Sequence, residues 1–272
     1  MLSILGKPNK SEAATYVCDE IGHADLFNQD YSGYSELPWV QEISEGGTLN
    51  VENLTFQKIN NFLNDTIKSQ AEPFGGVFVC GYNSIYKAAS QKNIKVLLDG
   101  NGVDEIFLGY EKYHQLYAHL SKENKYFKKI KKDFLDFWGY EPKPFRKLSS
   151  IDGSNGIQPT AIHANLLKKS SLSLPVIDYI DDPIKQLAVE DLLYFKIPRG
   201  LRFNDRVSMF HSCELRVPFL DHRLVEFALS IPNNLLLNEL GSKVIFRKVL
   251  SKFTSNKIAF AKKRSIQSPQ RE

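Results

Sequence analysis

The sequence predicts an α/β fold: a parallel sheet with a large helical layer. Two observations predict the sheet. Short β-prone runs alternate with amphipathic helical stretches in the front of the chain. The last of these runs, Lys95-Val96-Leu97-Leu98, stops at a turn with two glycines and a helix follows. A third observation predicts the helical layer, since the pattern beyond Glu105 is mostly helical. The 272 residues suit one large domain or two small ones. The expected organisation is a single domain over 1–272, with an α/β part over roughly 1–120 and a mostly helical part over roughly 121–272.

The elements follow in order. Thr15 to Cys18 is a short β-prone run, followed by a polar segment with Asn28, Asp30, Ser32 and Gly33. Tyr34 to Glu45 reads as a helix entered through Pro38 and ended by Gly46-Gly47. Thr48 to Leu54 is a second strand. Phe56 to Ser69 places Phe56, Ile59, Phe62, Leu63 and Ile67 on one helical face, and Glu72-Pro73-Phe74-Gly75-Gly76 breaks it. Ser84 to Gln91 is helical and Lys95 to Leu98 is the next strand. Glu105 to Trp138 is helical, Gly139 to Asn155 is a loop rich in Pro, Gly and Ser, and the chain is helical again from Pro183.

Composition excludes several classes. Hydrophobic residues make up 42% and charged residues 24%, ordinary for a globular protein with its own core. The net charge of +4 sits largely in Lys122–Lys132 and Lys257–Arg264, which read as solvated helix faces rather than a nucleic-acid footprint. Cys18, Cys80 and Cys213 are odd in number and not in CxxC spacing, so neither a disulfide framework nor a structural zinc site is expected. They fit a reducing, cytoplasmic compartment. No signal peptide is visible and no apolar run approaches the ~20 residues that span a bilayer. No membrane and no nucleic-acid partner is expected.

The glycine turn is Asp99-Gly100-Asn101-Gly102-Val103-Asp104-Glu105. Glycines let a ligand approach the backbone and leave amide donors for phosphate. Asp104, in the first helical turn, is a hard oxygen ligand suited to Mg²⁺ on a polyphosphate. By itself the turn is equally a tight bend whose acids cap a helix.

A second cluster runs from Arg199 to Asp221. Asp205, Arg206, Glu214, Arg216 and Asp221 lie among Val207, Met209, Leu215 and Phe219. Helical spacing cannot expose all five charges while burying those apolar residues, so partly buried ion pairs that hold helices together are expected. Asp221 reads as the N-cap of the next helix, and His222 as a surface or capping histidine rather than a base. In Gly241-Ser242-Lys243-Val244-Ile245-Phe246-Arg247, Ser242 reads as a helix cap that brings Lys243 into the first turn. There the ammonium would meet a phosphate or solvent.

These pieces, in this order, resemble the synthetase domain of glutamine-dependent asparagine synthetases and related amidotransferases. The family's (S/D)GxGxDE turn is matched by Asp99 to Glu105, and its GY pair by Gly109-Tyr110. Its DRxSM…ExRxPFLD block is matched by Asp205 to Asp221 and its GxKxxxR element by Gly241 to Arg247. The tail Lys263 to Gln270 is similar to its KR…PQ ending, and Glu72-Pro73 to its upstream turn. The resemblance implies an adenine-nucleotide α-hydrolase-like sheet, ATP and Mg²⁺ as cofactors, and adenylation of a carboxylate, aspartate in the parent reaction. Ammonia from a glutaminase domain or subunit then displaces AMP. It implies Asp104 as the Mg²⁺ ligand and Lys243 as the group that stabilises departing phosphate. Asp99, Gly100 and Gly102 would lie against the nucleotide, and Asn101 would stand with Lys243 as a catalytic residue. A homodimer is compatible with it.

The sequence also departs from the family. The SGGxDS phosphate loop is not found, and Met1-Leu2-Ser3-Ile4-Leu5-Gly6 reads like the helix that follows it. The first strand and the glutaminase domain are expected to be missing, and both ends to be cut. Asn101 stands where asparagine synthetases often carry a glutamate, and it cannot serve as a base at neutral pH. With Asp99, it resembles members associated with surface-sugar biosynthesis, which leaves another acceptor acid open beside aspartate. A non-catalytic remnant or interaction module therefore stands as the alternative.

Overall fold

The structure, a computed structural model, describes residues 14–19, 37–44, 48–53, 56–74, 76, 78–122, 125–143, 177 and 179–261. The readings on Met1–Gly6, on Asn28 to Gly33, on 144–155 and on Lys263–Gln270 lie outside them. The chain forms two compact units, each discontinuous in sequence. The first comprises 1–101, 200–225 and 247–272, and the second 102–199 and 226–246.

The first unit is mixed α/β. Strand β1 (Ala14–Asp19) pairs in parallel with β2 (Thr48–Asn53), with Ala14 opposite Thr48 and Asp19 opposite Asn53. Helix α1 (Leu37–Ile43) lies between them in sequence, within the span Tyr34 to Glu45 read from Pro38 and Gly46-Gly47. Helix α2 (Phe56–Gln70) packs Ile59, Phe62 and Leu63 around Cys80. Helix α3 (Phe78–Gln91) begins six residues earlier than the sequence reading. Gly81 lies inside this helix, and Val79, Ile85, Tyr86 and Ala89 keep helical spacing through it and are all buried. Burial of that face outweighs the ~1 kcal/mol that a mid-helix glycine costs.

Strand β3 (Val96–Leu98) pairs in parallel with β4 (Glu214–Arg216), Leu97 opposite Leu215. Leu97 is buried in a core with Val79, Ile85, Tyr86, Ala89, Val207 and Cys213, and Leu215 packs on it. This corrects the helical reading of the second charged cluster. Glu214 and Arg216 flank Leu215 on the opposite face of a strand, are exposed, and pair with each other at 2.8 Å. The alternation of a strand, with period two, separates the charges from the apolar residues in a way that helical spacing cannot. Asp205 is exposed as well. Of this block, Arg206 on helix α8 (Ile197–Phe210) does hold elements together. It donates to the Gln70 carbonyl and pairs with Glu72 Oε1 at 3.8 Å, and Arg202 also pairs with Glu72.

Asp221 caps α9 (His222–Ser230) as expected, accepting from the Arg223 amide at 3.0 Å, and His222 is exposed. Helix α11 (Val244–Leu250) carries Arg247, 5% exposed, which donates from Nη1 to the carbonyls of Ala259 (3.1 Å) and Ala261 (2.7 Å) around α12 (Asn256–Ala259).

The second unit is mainly helical. It holds α4 (Val103–Ile106), α5 (Glu111–Leu120), α6 (Phe127–Trp138), α7 (Pro183–Glu190) and a π turn at Asp191–Phe195. Asp182 caps α7 by accepting from the amides of Ile184 and Lys185 at 2.8 and 3.3 Å. His114, Phe134, Trp138 and Tyr140 form an aromatic cluster between α5 and the end of α6. Helix α10 (Asn233–Leu236) leads into a two-stranded antiparallel ribbon of β5 (Leu237–Asn238) and β6 (Gly241–Ser242). The sequence reading took this whole region as helical. Gly241 has φ +97°, and a Cβ there would fall 2.0 Å from the Phe137 ring, so only glycine fits. Among the described residues, no helix is long and apolar enough to cross a membrane.

Candidate functional site

The double-glycine turn runs from the end of the first unit into the start of the second. On the first-unit side, β3 ends at Asp99, whose amide bonds to the Arg216 carbonyl at 2.8 Å. Asp99 is buried. Its carboxylate accepts from the Asn101 amide at 3.2 Å, from Asn101 Nδ2 at 2.6 Å and from Asn204 Nδ2 at 3.3 Å. Burial pushes its pKa up, and the amides of Asn101 and Gly100 act against that rise. The Asn101 amide group is therefore oriented by a fixed acceptor. Gly100 is exposed, and a Cβ there would meet nothing within 4 Å. Packing among the described residues does not require glycine at that position.

On the second-unit side, Gly102 has φ +98°, a conformation that side chains resist, and it precedes the single-turn helix α4. Asp104 sits in that turn. Its Oδ1 lies 2.6 Å from Lys243 Nζ, across 139 positions of sequence, with side chains 24% and 19% exposed.

Several contacts hold this pair. The Gly109 amide bonds to the Asp104 carbonyl at 2.6 Å, and the Ser242 hydroxyl donates to the Gly109 carbonyl at 3.3 Å. A Cβ on Gly109 would fall 2.0 Å from Asp104 Oδ1, so the glycine of the Gly-Tyr pair makes room for the carboxylate. Phe107 stacks on Phe246 with ring centroids 5.2 Å apart, which ties the residues after α4 to the start of α11. Ser242 is therefore a buried strand residue, not the cap expected from the sequence. Lys243 stands alone between β6 and α11 with φ +58°, unusual for a residue with a side chain and worth about 1–3 kcal/mol of strain. Such strain persists where the surroundings over-determine it.

Of the predicted site residues, then, Asp104 and Lys243 come together in the second unit, where Gly102 also lies. Asp99, Gly100 and Asn101 belong to the first. Sequence reasoning missed the surroundings of Asp104. Glu105 is buried and accepts from the Tyr110 hydroxyl at 2.8 Å, and burial raises its pKa. The Lys196 ammonium lies 4.1 Å from the centre of the Tyr110 ring. Asp191 takes Lys112 at 2.5 Å and the Tyr113 hydroxyl. The Gly109-Tyr110 pair was the local signal for half of this group. Lys196 lies far along the chain and carries none.

Chemically, the Asp104–Lys243 pair offers an anionic oxygen donor beside a cation. The described residues contain no group of three His, Cys, Asp or Glu able to hold a metal.

Comparison with known proteins gives concordant matches. The family model described as asparagine synthase matches residues 4–272. The glutamine-hydrolysing asparagine synthetase 3 of Bacillus subtilis is 26% identical over 263 residues, covering 94% of this chain and 40% of that protein. Asparagine synthetase 1 of the same organism is 24% identical over 243 residues, 80% of this chain and 38% of that protein. A putative asparagine synthetase of Methanocaldococcus jannaschii is 26% identical over 155 residues, 57% of this chain and 18% of that protein. The chain spans about two fifths of the length of the first two relatives.

Proposed function

This chain belongs to the asparagine synthase family, and we propose that it is the ATP-using part of an amide-forming ligase that converts aspartate to asparagine. In this reading its parallel strand pairs belong to an adenine-nucleotide α-hydrolase-type sheet. Ammonia comes from a glutaminase domain or subunit.

The reaction has two steps. An oxygen of the acceptor carboxylate attacks the α-phosphorus of ATP and the bond to pyrophosphate breaks. Ammonia then bonds to the acyl carbon, the bond to AMP breaks, and a proton leaves the nitrogen. Adenylation replaces oxide, a poor leaving group, by AMP. The protein contributes position and charge neutralisation.

The single observation that carries this reading is the Asp104–Lys243 pair at 2.6 Å. Two half-buried charges neutralise each other until a ligand of mixed charge separates them. A magnesium polyphosphate is such a ligand: Asp104 would hold the metal and Lys243 the phosphate oxygens. Asp104 fits as a single hard oxygen ligand, with phosphate and water supplying the rest. When bound, Mg²⁺ supplies charge neutralisation on the polyphosphate. Lys243 holds the negative charge that grows on pyrophosphate as it departs. Gly100 and Gly102 admit the nucleotide close to the backbone. Asp99 orients Asn101, whose amide hydrogen-bonds the acceptor acid without acting as a base.

The test incubates the 272-residue chain with ATP, Mg²⁺, L-aspartate and ammonium. AMP, pyrophosphate and asparagine in equal amounts are expected. ADP and orthophosphate, or no nucleotide product at all, would contradict the proposal.

A further inference from the structure

We infer that Lys196 anchors a carboxylate of the acceptor acid, holding it near the Asp104–Lys243 pair. The inference rests on the ligase reading above and deepens it.

Lys196 lies among charged side chains of the second unit. Lys112 and Arg199 are the cations that act on it, and Asp191 and Glu105 the carboxylates, with Asp104 acting in turn on Glu105. Asp191 is taken by Lys112 and by the Tyr113 hydroxyl. Glu105 accepts from Tyr110. Lys196 makes neither an ion pair within 4.0 Å nor a hydrogen bond among the described residues, and its ammonium rests over the Tyr110 ring at 4.1 Å. It is half-buried at the end of the π turn. An ammonium shielded from water without an anionic partner is costly. Burial lowers its pKa, with Lys112 and Arg199 adding to the effect and Asp191 and Glu105 opposing it without pairing with it directly. A bound anion would reverse that cost.

The position selects the anion. Tyr110, under the ammonium, hydrogen-bonds Glu105, the neighbour in sequence of Asp104. A dicarboxylic acceptor presents one carboxylate for adenylation and keeps another. Lys196 suits the second, since the first must stay free to attack phosphorus. A cationic point donor without fork geometry accepts carboxylates of several shapes.

The test has two arms. In the first, Lys196→Met and Lys196→Arg are compared with the unaltered chain for AMP release with ATP, Mg²⁺, ammonium and L-aspartate. The expectation for Lys196→Met is a KM for aspartate raised about ten-fold or more, the size of one lost charge-assisted contact. The KM for ATP stays within about two-fold and the Arg variant recovers most of the loss. A fall in kcat with the KM for aspartate unchanged overturns the inference. In the second arm, acetylation of Lys196 by acetic anhydride is followed by peptide mass spectrometry. L-Aspartate or acetate is compared with chloride and with inorganic phosphate at equal ionic strength. Slower labelling under either carboxylate supports the inference. No protection, or protection by phosphate alone, overturns it. If the unaltered chain releases no AMP, the ligase reading fails, and the labelling still decides Lys196 by itself.

Discussion

Asp104 Oδ1 and Lys243 Nζ lie 2.6 Å apart although 139 positions separate them in sequence. One follows a glycine turn and opens a helix. The other stands in a left-handed conformation between a two-residue strand and a helix. The contacts through Gly109, Ser242 and the Phe107–Phe246 stack make this a held arrangement.

Asp104→Asn tests the metal side of the pair. The amide keeps the shape and loses the anionic oxygen. The Mg²⁺ concentration giving half-maximal pyrophosphate release should rise at least about ten-fold, a cost typical even of a metal ligand's outer partners. Titration of Mg²⁺ at fixed ATP measures it, and an unchanged midpoint would remove Asp104 from the metal site.

Two glycine substitutions separate a glycine required by the fold from one required by a ligand. Gly109→Ala sets a Cβ 2.0 Å from Asp104 Oδ1 and 2.9 Å from the Asp104 Cα. Part of that neighbour is backbone, so a loss of about 1–3 kcal/mol in urea unfolding is expected, together with slower pyrophosphate release. Gly100→Ala meets nothing within 4 Å. Its stability should stay within about 0.5 kcal/mol of the parent, while its KM for ATP rises. If Gly100→Ala binds ATP normally, that turn does not face the nucleotide.

How much of this was legible in the sequence depends on how local each signal is. The glycine turn and the start of α4 are encoded within seven residues, Asp99 to Glu105, and their conformations follow from residue type. Lys243 was legible as a helix-start lysine, but its left-handed backbone was not, because that conformation is imposed by contacts of Ser242 and Phe246. Strand β4 was misread since its partner β3 lies more than a hundred residues away, and three residues of alternation carry little signal. Lys196 was invisible for the same reason. Its meaning lies in Tyr110 and Glu105, at another place in the chain.

Stability should fall in mild acid because of His114. This side chain is fully buried among Phe134, Trp138 and Tyr140, accepts from Trp138 Nε1 at 3.2 Å, and finds no partner for Nε2 among the described residues. Burial lowers its pKa to about 4. The unfolded chain therefore binds this proton first as pH falls, so the contribution is complete above about pH 6.5 and is lost as pH drops through about 4. Urea unfolding at pH 7 and pH 4.5 should differ by up to about 3 kcal/mol from this group. His114→Phe, which removes the titration, should narrow the gap. A gap of the same size in that variant would assign the acid sensitivity elsewhere.

The most direct test of the central claim is the rate of pyrophosphate release by Lys243→Met under saturating ATP, Mg²⁺, L-aspartate and ammonium. The neutral side chain keeps the length and removes the cation. A fall of about 100-fold or more is expected, as when a group that stabilises transition-state charge is removed, in a variant that still unfolds cooperatively in urea. A Lys243→Met chain that releases pyrophosphate at the parent rate would contradict the claim.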